Sequence, residues 1–150
     1  MKKLMIATGL SLLASFSFAA EEITSVKIWH DSEKAEINQD YRFAPGTDIQ
    51  VFDFAKKRQT DRYMNEALDV NYTNSIEENN RLAQEAFQAF LNSGSYEKVN
   101  EGFDEIAKAM NAAAKFGIRK APAVMINDKY QILGVYNLSE AVSIYKQKVE

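Results

Sequence analysis

The stretch KFGIRKAPAVMINDKYQILGVYN, residues 115–137, decides the fold. Phe116-Gly117 closes a helix, and Gly117 is the residue expected in the left-handed cap. A short basic loop then runs into Pro122. The segment APAVMI reads as a strand that carries its proline at the start, where a missing N–H is tolerated. Asn127-Asp128-Lys129 is a hairpin turn and YQILGV the returning strand. Asn137-Leu138-Ser139-Glu140 resembles a capping box and opens a last helix, with Leu138, Ala141, Val142, Tyr145 and Val149 along one side.

Working backwards, two amphipathic helices precede this unit. Ser75-Ile76-Glu77-Glu78 is a capping box, followed by Ala83, Ala86, Phe87, Phe90 and Leu91 on one face before Gly94 ends the helix. Ser95 is expected to cap the next helix, in which Val99, Phe103, Ile106, Met110 and Ala113 recur every three or four residues. Residues 55–68 are helical by propensity and weakly amphipathic, with Tyr63, Met64 and Leu68 as the expected inner residues. Two strands come first. SVKIWH (25–30) sets Val26, Ile28 and His30 opposite Lys27 and Trp29, and IQVFDF (49–54) sets Ile49, Val51 and Asp53 opposite Gln50, Phe52 and Phe54. The stretch between them is polar and irregular, with a turn at Pro45-Gly46. Strands alternating with helices, then an antiparallel hairpin, predict an α/β sandwich with a mixed four-stranded sheet flanked by helices.

Residues 1–19 read as a signal peptide. Lys2 and Lys3 form a basic start, Leu4 to Phe18 is an uncharged, mostly apolar run, and Ser17-Phe18-Ala19 supplies small residues where a signal peptidase reads. The run falls short of the ~20 residues that span a bilayer, which favours a cleaved leader over an anchor. No cysteine follows it, so a lipoprotein is excluded. The domain is then 20–150. Removing Lys2 and Lys3 from 18 basic against 21 acidic residues leaves a net charge of −5. That sign argues against nucleic acid as a partner, because tracking a phosphate backbone needs clustered Lys and Arg. Lys56-Lys57-Arg58 is followed at once by Asp61 and reads as a solvated helix face.

The order glycine-isoleucine, basic residue, proline, apolar strand, hairpin, glycine and helix is similar to the second half of the thioredoxin fold. That resemblance implies a cis proline at Pro122 facing the loop after the first strand. A closer likeness covers about the last forty residues. Gly117, Ile118, Pro122, Ala123, Val124, Gly134 and Ala141, with Tyr130 and Tyr136, resemble small exported proteins encoded in integrating conjugative elements, among genes for type IV secretion. Ala121 departs from that pattern, standing where a β-branched residue is commoner. The resemblance implies a periplasmic location in a Gram-negative bacterium, no cofactor, and a partner that is a protein component of the conjugative secretion apparatus. It also implies no stable membrane insertion after leader removal.

The chain has no cysteine, and serine is no substitute for a thiolate in disulfide exchange. Thiol redox chemistry is therefore excluded at WHDSEKAEI, where a thioredoxin carries its redox pair. His30-Asp31-Ser32 holds the residue types of a hydrolytic triad, but neighbours in an extended segment point in opposite directions and no elbow presents the serine. The plainer reading is that His30 ends the strand and Asp31 or Ser32 caps the next segment. A single histidine without thiolates is too poor a ligand set for zinc. Asn38, Asp40 and Asp48 lack the EF-hand order. What remains is a binding surface at Trp29, His30, Ala121 and Pro122, with Trp29 either an anchor for a partner strand or part of the core. Binding a secretion component is the first expectation. A general periplasmic peptide holdase using the same groove is the alternative, and a hydrolase built on His30 is the enzymatic rival.

Overall fold

The computed structural model describes residues 21–149; the expected signal peptide, 1–19, lies outside the described residues. The elements run β1 (Ser25–His30), β2 (Asp48–Asp53), α1 (Lys56–Ala67), α2 (Ile76–Asn92), α3 (Ser95–Phe116), β3 (Ala123–Ile126), β4 (Tyr130–Leu133) and α4 (Leu138–Val149). They form the expected α/β sandwich. The sheet has the order β2-β1-β3-β4, with β1 parallel to β2 and antiparallel to β3, and β3 antiparallel to β4.

As the second strand from one edge, β1 is covered on both faces. Val26 and Ile28 pack with Val124, Ile126, Ile132 and the inner side of α4. Lys27 and Trp29 face the other way, where Trp29 packs with Ala113, Ile118, Ala123 and Met125. Trp29 stacks on Phe52 at 5.2 Å between centroids and meets the edge of Phe116 at 6.0 Å. Buried Lys27 is neutralised by an ion pair with Asp128 and lies 5.4 Å from the Phe116 ring centre. A long side chain can lay its stem on apolar surface while its head finds an anion.

Parallel strands need a crossover of a dozen or more residues, usually a helix. Here the crossover is the irregular segment 31–47, which packs on the same side of the sheet as α4 through Ile37, Tyr41 and Phe43. Its Asn38 amide donates to the Tyr136 carbonyl, and the Asn38 carbonyl accepts from the Leu138 amide. Asp40 and Asn137 accept from the Ser139 and Glu140 amides at 3.0 and 2.7 Å, which satisfies the open first turn of α4.

Several local signals act where the sequence puts them. The Ser75 hydroxyl accepts from the Glu78 amide at 3.3 Å, and Gly117 closes α3 at φ 68°. Three expectations shift. On α2 Phe90 is the buried residue, whereas Ala83, Phe87 and Leu91 of the expected inner face are exposed, because few residues of the fold pack against that helix. Gly94, not Ser95, is the N-cap of α3, in a left-handed conformation with no side-chain bond. The buried stripe of α3 is Val99, Gly102, Ala109 and Ala113, one position away from Phe103 and Met110, which are exposed. The cause lies opposite: a Cβ on Gly102 would sit 2.3 Å from the Thr60 Oγ1 of α1. Only the small-residue side of α3 admits so close a neighbour. Thr60 is accordingly the buried residue of α1, while Tyr63, Met64 and Leu68 are half-buried.

Candidate functional site

The parallel strands β1 and β2 end side by side at His30 and Asp53. Beyond those ends the chain must turn twice, and the turns build one wall of a groove. Asp31 leads a tight turn in which its carbonyl accepts from the Lys34 and Ala35 amides, both at 2.9 Å. Asp53 holds the start of α1: its carboxylate accepts from the Ser32 amide at 3.0 Å, the Ser32 hydroxyl at 2.5 Å and the Ala55 amide at 2.8 Å. Burial pushes this carboxyl up, but the bonds from Ser32 and Ala55 outweigh burial and hold it below its ordinary value.

Ser32 is thereby committed. Its hydroxyl donates to Asp53 and accepts from the Gln59 amide group at 3.1 Å, so its proton points at a carboxylate and not at an imidazole. His30 is half-buried at the end of β1. Its carbonyl accepts from Phe54 at 2.8 Å, and its Nδ1 is buried without a partner among the described residues.

The opposite wall is the loop from Arg119 to Pro122, and the Ala121–Pro122 peptide is cis. Pro122 is anchored by its carbonyl, which accepts from the Gly134 amide at 3.0 Å. Among the described residues neither the N–H nor the C=O of Ala121 is paired within the protein. Between the walls lies an open groove of about 470 Å³. Phe54, Ala35 and Pro122 give it apolar lining, and Tyr136, about half exposed, also lines it.

The charged part of the lining is mostly basic. Arg58 donates to Asp31 at 2.6 Å and to Glu33 at 2.7 Å, Arg62 also pairs with Glu33, and Lys34 reaches Asp31 at 3.2 Å. Burial pushes Asp31 up, yet Lys34 and Arg58 leave it below the usual carboxylate range. Arg119 and Lys120 line the same groove. No group of three or more His, Asp or Glu side chains among the described residues is arranged to hold a metal ion.

Of the four residues expected at a binding face, Ala121 and Pro122 line the groove, while His30 ends β1 and does not line it. Trp29 does not belong to the surface. It is 0 % exposed, because its position in β1 directs it under α3, between Phe52 and Phe116. The aromatic that does reach the groove and stay exposed is Tyr136. Lys34, Phe54, Arg119 and Lys120 are not among the residues expected at the binding face, and Arg58, expected on a solvated helix face, instead lines the groove and pairs with Asp31 and Glu33. Arg119-Lys120 directly precedes Ala121-Pro122, which is the signal that locates them. Arg58 belongs to a basic run with no such marker.

A family model described as a protein of unknown function, DUF1525, matches residues 42–149. The chain belongs to the DUF1525 family. The matched span takes in β2 and everything after it, and so the whole Arg119–Pro122 wall of the groove. No curated protein and no solved structure matches the chain. Among the described residues no helix is long and apolar enough to cross a membrane.

Proposed function

We propose that this DUF1525 protein is a redox-inactive, thioredoxin-like binding domain without catalytic activity. It holds an extended segment of another protein in the groove beside Pro122. The observation that carries the reading is the open Ala121 backbone at the edge of that groove. An unpaired N–H and C=O beside an apolar floor is what a partner strand needs in order to add by main-chain hydrogen bonds, with a pocket for one of its side chains. A volume of about 470 Å³ accepts a few residues of a peptide and not a folded domain. From the resemblance of its last forty residues, the partner is a protein of a type IV secretion apparatus in conjugative DNA transfer, met in the periplasm after the leader is removed.

A second reading is a general periplasmic holdase. It is favoured by the apolar side chains that α2 leaves exposed, Ile76, Phe87 and Leu91, since such patches mark interaction surfaces. A photo-crosslinking amino acid at Ala121, activated in donor cells, separates the two. One or two discrete adducts that vanish when a secretion gene is deleted support the dedicated partner. A broad ladder of adducts supports the holdase. No adduct at Ala121, with adducts from a probe placed on α2, sinks the groove reading. Trp29→Ala is the wrong control, because removing a buried indole costs ~3–5 kcal/mol of stability. Tyr136→Ser perturbs the groove from its exposed side.

A further inference from the structure

We infer that the groove beside Pro122 selects acidic extended peptide segments, and that Arg119 and Lys120 are the residues that read their carboxylates. The inference rests on the peptide-binding reading above and adds a chemistry to it.

The chain as a whole is acidic, with 21 Asp and Glu against 18 Lys and Arg. The groove reverses that balance: Lys34, Arg58, Arg119 and Lys120 line it, against Asp31 alone. These four cations are not equally available. Arg58 is already engaged, its guanidinium shared between Asp31 and Glu33. Lys34 touches Asp31 but stays 76 % exposed and can swing. Arg119 and Lys120 are exposed and form no ion pair among the described residues. They are also the two residues immediately before Ala121, whose backbone is open. A strand that pairs with Ala121 therefore runs beside both cations, with Lys34 across the groove.

Side chains of an extended segment alternate in direction. One apolar side chain can enter the floor at Phe54 and Pro122 while its two neighbours point outward to the basic rim. Carboxylates at those positions gain two pairs with exposed cations, and lysines there meet like charge. Complementary charge of this kind sets specificity and on-rate. A nucleic acid strand fits less well. It has to continue past the groove over a chain of net negative charge, and backbone tracking needs basic residues along the whole path. A short acidic peptide needs only the rim.

The test uses the purified protein and fluorescein-labelled decamers that alternate leucine with aspartate, serine or lysine, beside a single-stranded oligonucleotide. The aspartate decamer is expected to bind about tenfold tighter than the serine one, with the gap closing as salt rises from roughly 50 to 500 mM. Arg119→Ser with Lys120→Ser removes that preference and leaves the melting temperature unchanged. Arg119→Glu with Lys120→Glu turns it towards the lysine decamer. Equal binding of aspartate and serine decamers overturns the acidic preference and leaves the groove reading standing. Failure of all three decamers overturns both. Tighter binding of the oligonucleotide overturns the inference in favour of nucleic acid.

Discussion

At Asn127 the backbone sits at φ 53°, a region asparagine and glycine enter more readily than other residues, and the side chain works as well. Its Oδ1 accepts from the Thr24 and Ser25 amides at 2.8 and 3.2 Å, and its Nδ2 donates to the Glu22 carbonyl at 2.8 Å. The turn of the hairpin thereby ties down the segment that leads into β1. Asn127→Gly keeps the turn and cuts the tie, so the expected loss is ~1–2 kcal/mol, with faster hydrogen exchange at the Thr24 and Ser25 amides. Unchanged exchange at those two amides would refute the clamp. Asp53 makes a pH-dependent contribution. Its folded carboxyl is held below the ordinary value, so its stabilisation is complete above the unfolded pKa, near 4, and fades as pH falls through the lower folded one. Asp53→Asn should therefore destabilise at neutral pH, with the gap to the parent narrowing as the pH falls into the acid range. Urea melts of both proteins at neutral pH and near pH 3 read this directly, and a constant gap would count against it.

Between elements, the close approach of α1 and α3 at Thr60 and Gly102 gives a reciprocal test. Gly102→Ala improves helix propensity by ~1 kcal/mol, yet its methyl lands 2.3 Å from Thr60 Oγ1 and 2.9 Å from Cγ2. Overpacking should win, with a net loss of ~1–3 kcal/mol. Thr60→Ala removes both atoms, so the double variant should recover most of what Gly102→Ala loses, and thermal melts of the four proteins complete the cycle. Additive losses would mean that the helices simply move apart. This contact also marks how far the sequence can be read. Caps and turns are legible because Ser75, Gly117 and Asn137 act on nearby backbone and Asn127 shapes its own turn, while β1 and β2 are legible from alternation and β3 and β4 from apolar residues flanking a turn. The inner stripe of α3 was displaced towards Phe103 and Met110 because periodicity finds the greasier face, whereas Thr60, far away in sequence, selects the smaller one. Trp29 was ambiguous for a related reason: a strand buried on both faces carries no alternation that separates core from surface. At the groove, Pro122 was legible and Arg58 was not, since its partners Asp31 and Glu33 come from the far side of a crossover.

Across the whole molecule, the sheet is assembled from distant parts. Trp29 pairs in register with Ala123, 94 positions later in the chain, while the nearer pairing of β1 with β2 has only the irregular 31–47 segment to bring it together. The Tyr145 hydroxyl donates to the Glu21 carbonyl at 2.7 Å, so the two ends of the described chain lie side by side. A circular permutant joined there and opened at Gly94 places β3, β4 and α4 ahead of β1 and cuts the separation of Trp29 and Ala123 to less than half. Loop closure before non-local pairing limits folding rates, so the permutant should fold faster than the parent at similar stability. Stopped-flow fluorescence can follow this from Trp29, the single tryptophan and a buried one. Equal rates would mean that β1 and β3 do not meet in the rate-limiting step. In the natural order, the strand that becomes the centre of the sheet is made first and waits for a companion from the last quarter of the chain. Under the proposed export as an unfolded thread, that delay leaves β1 without its β3 partner until the last quarter of the chain has followed.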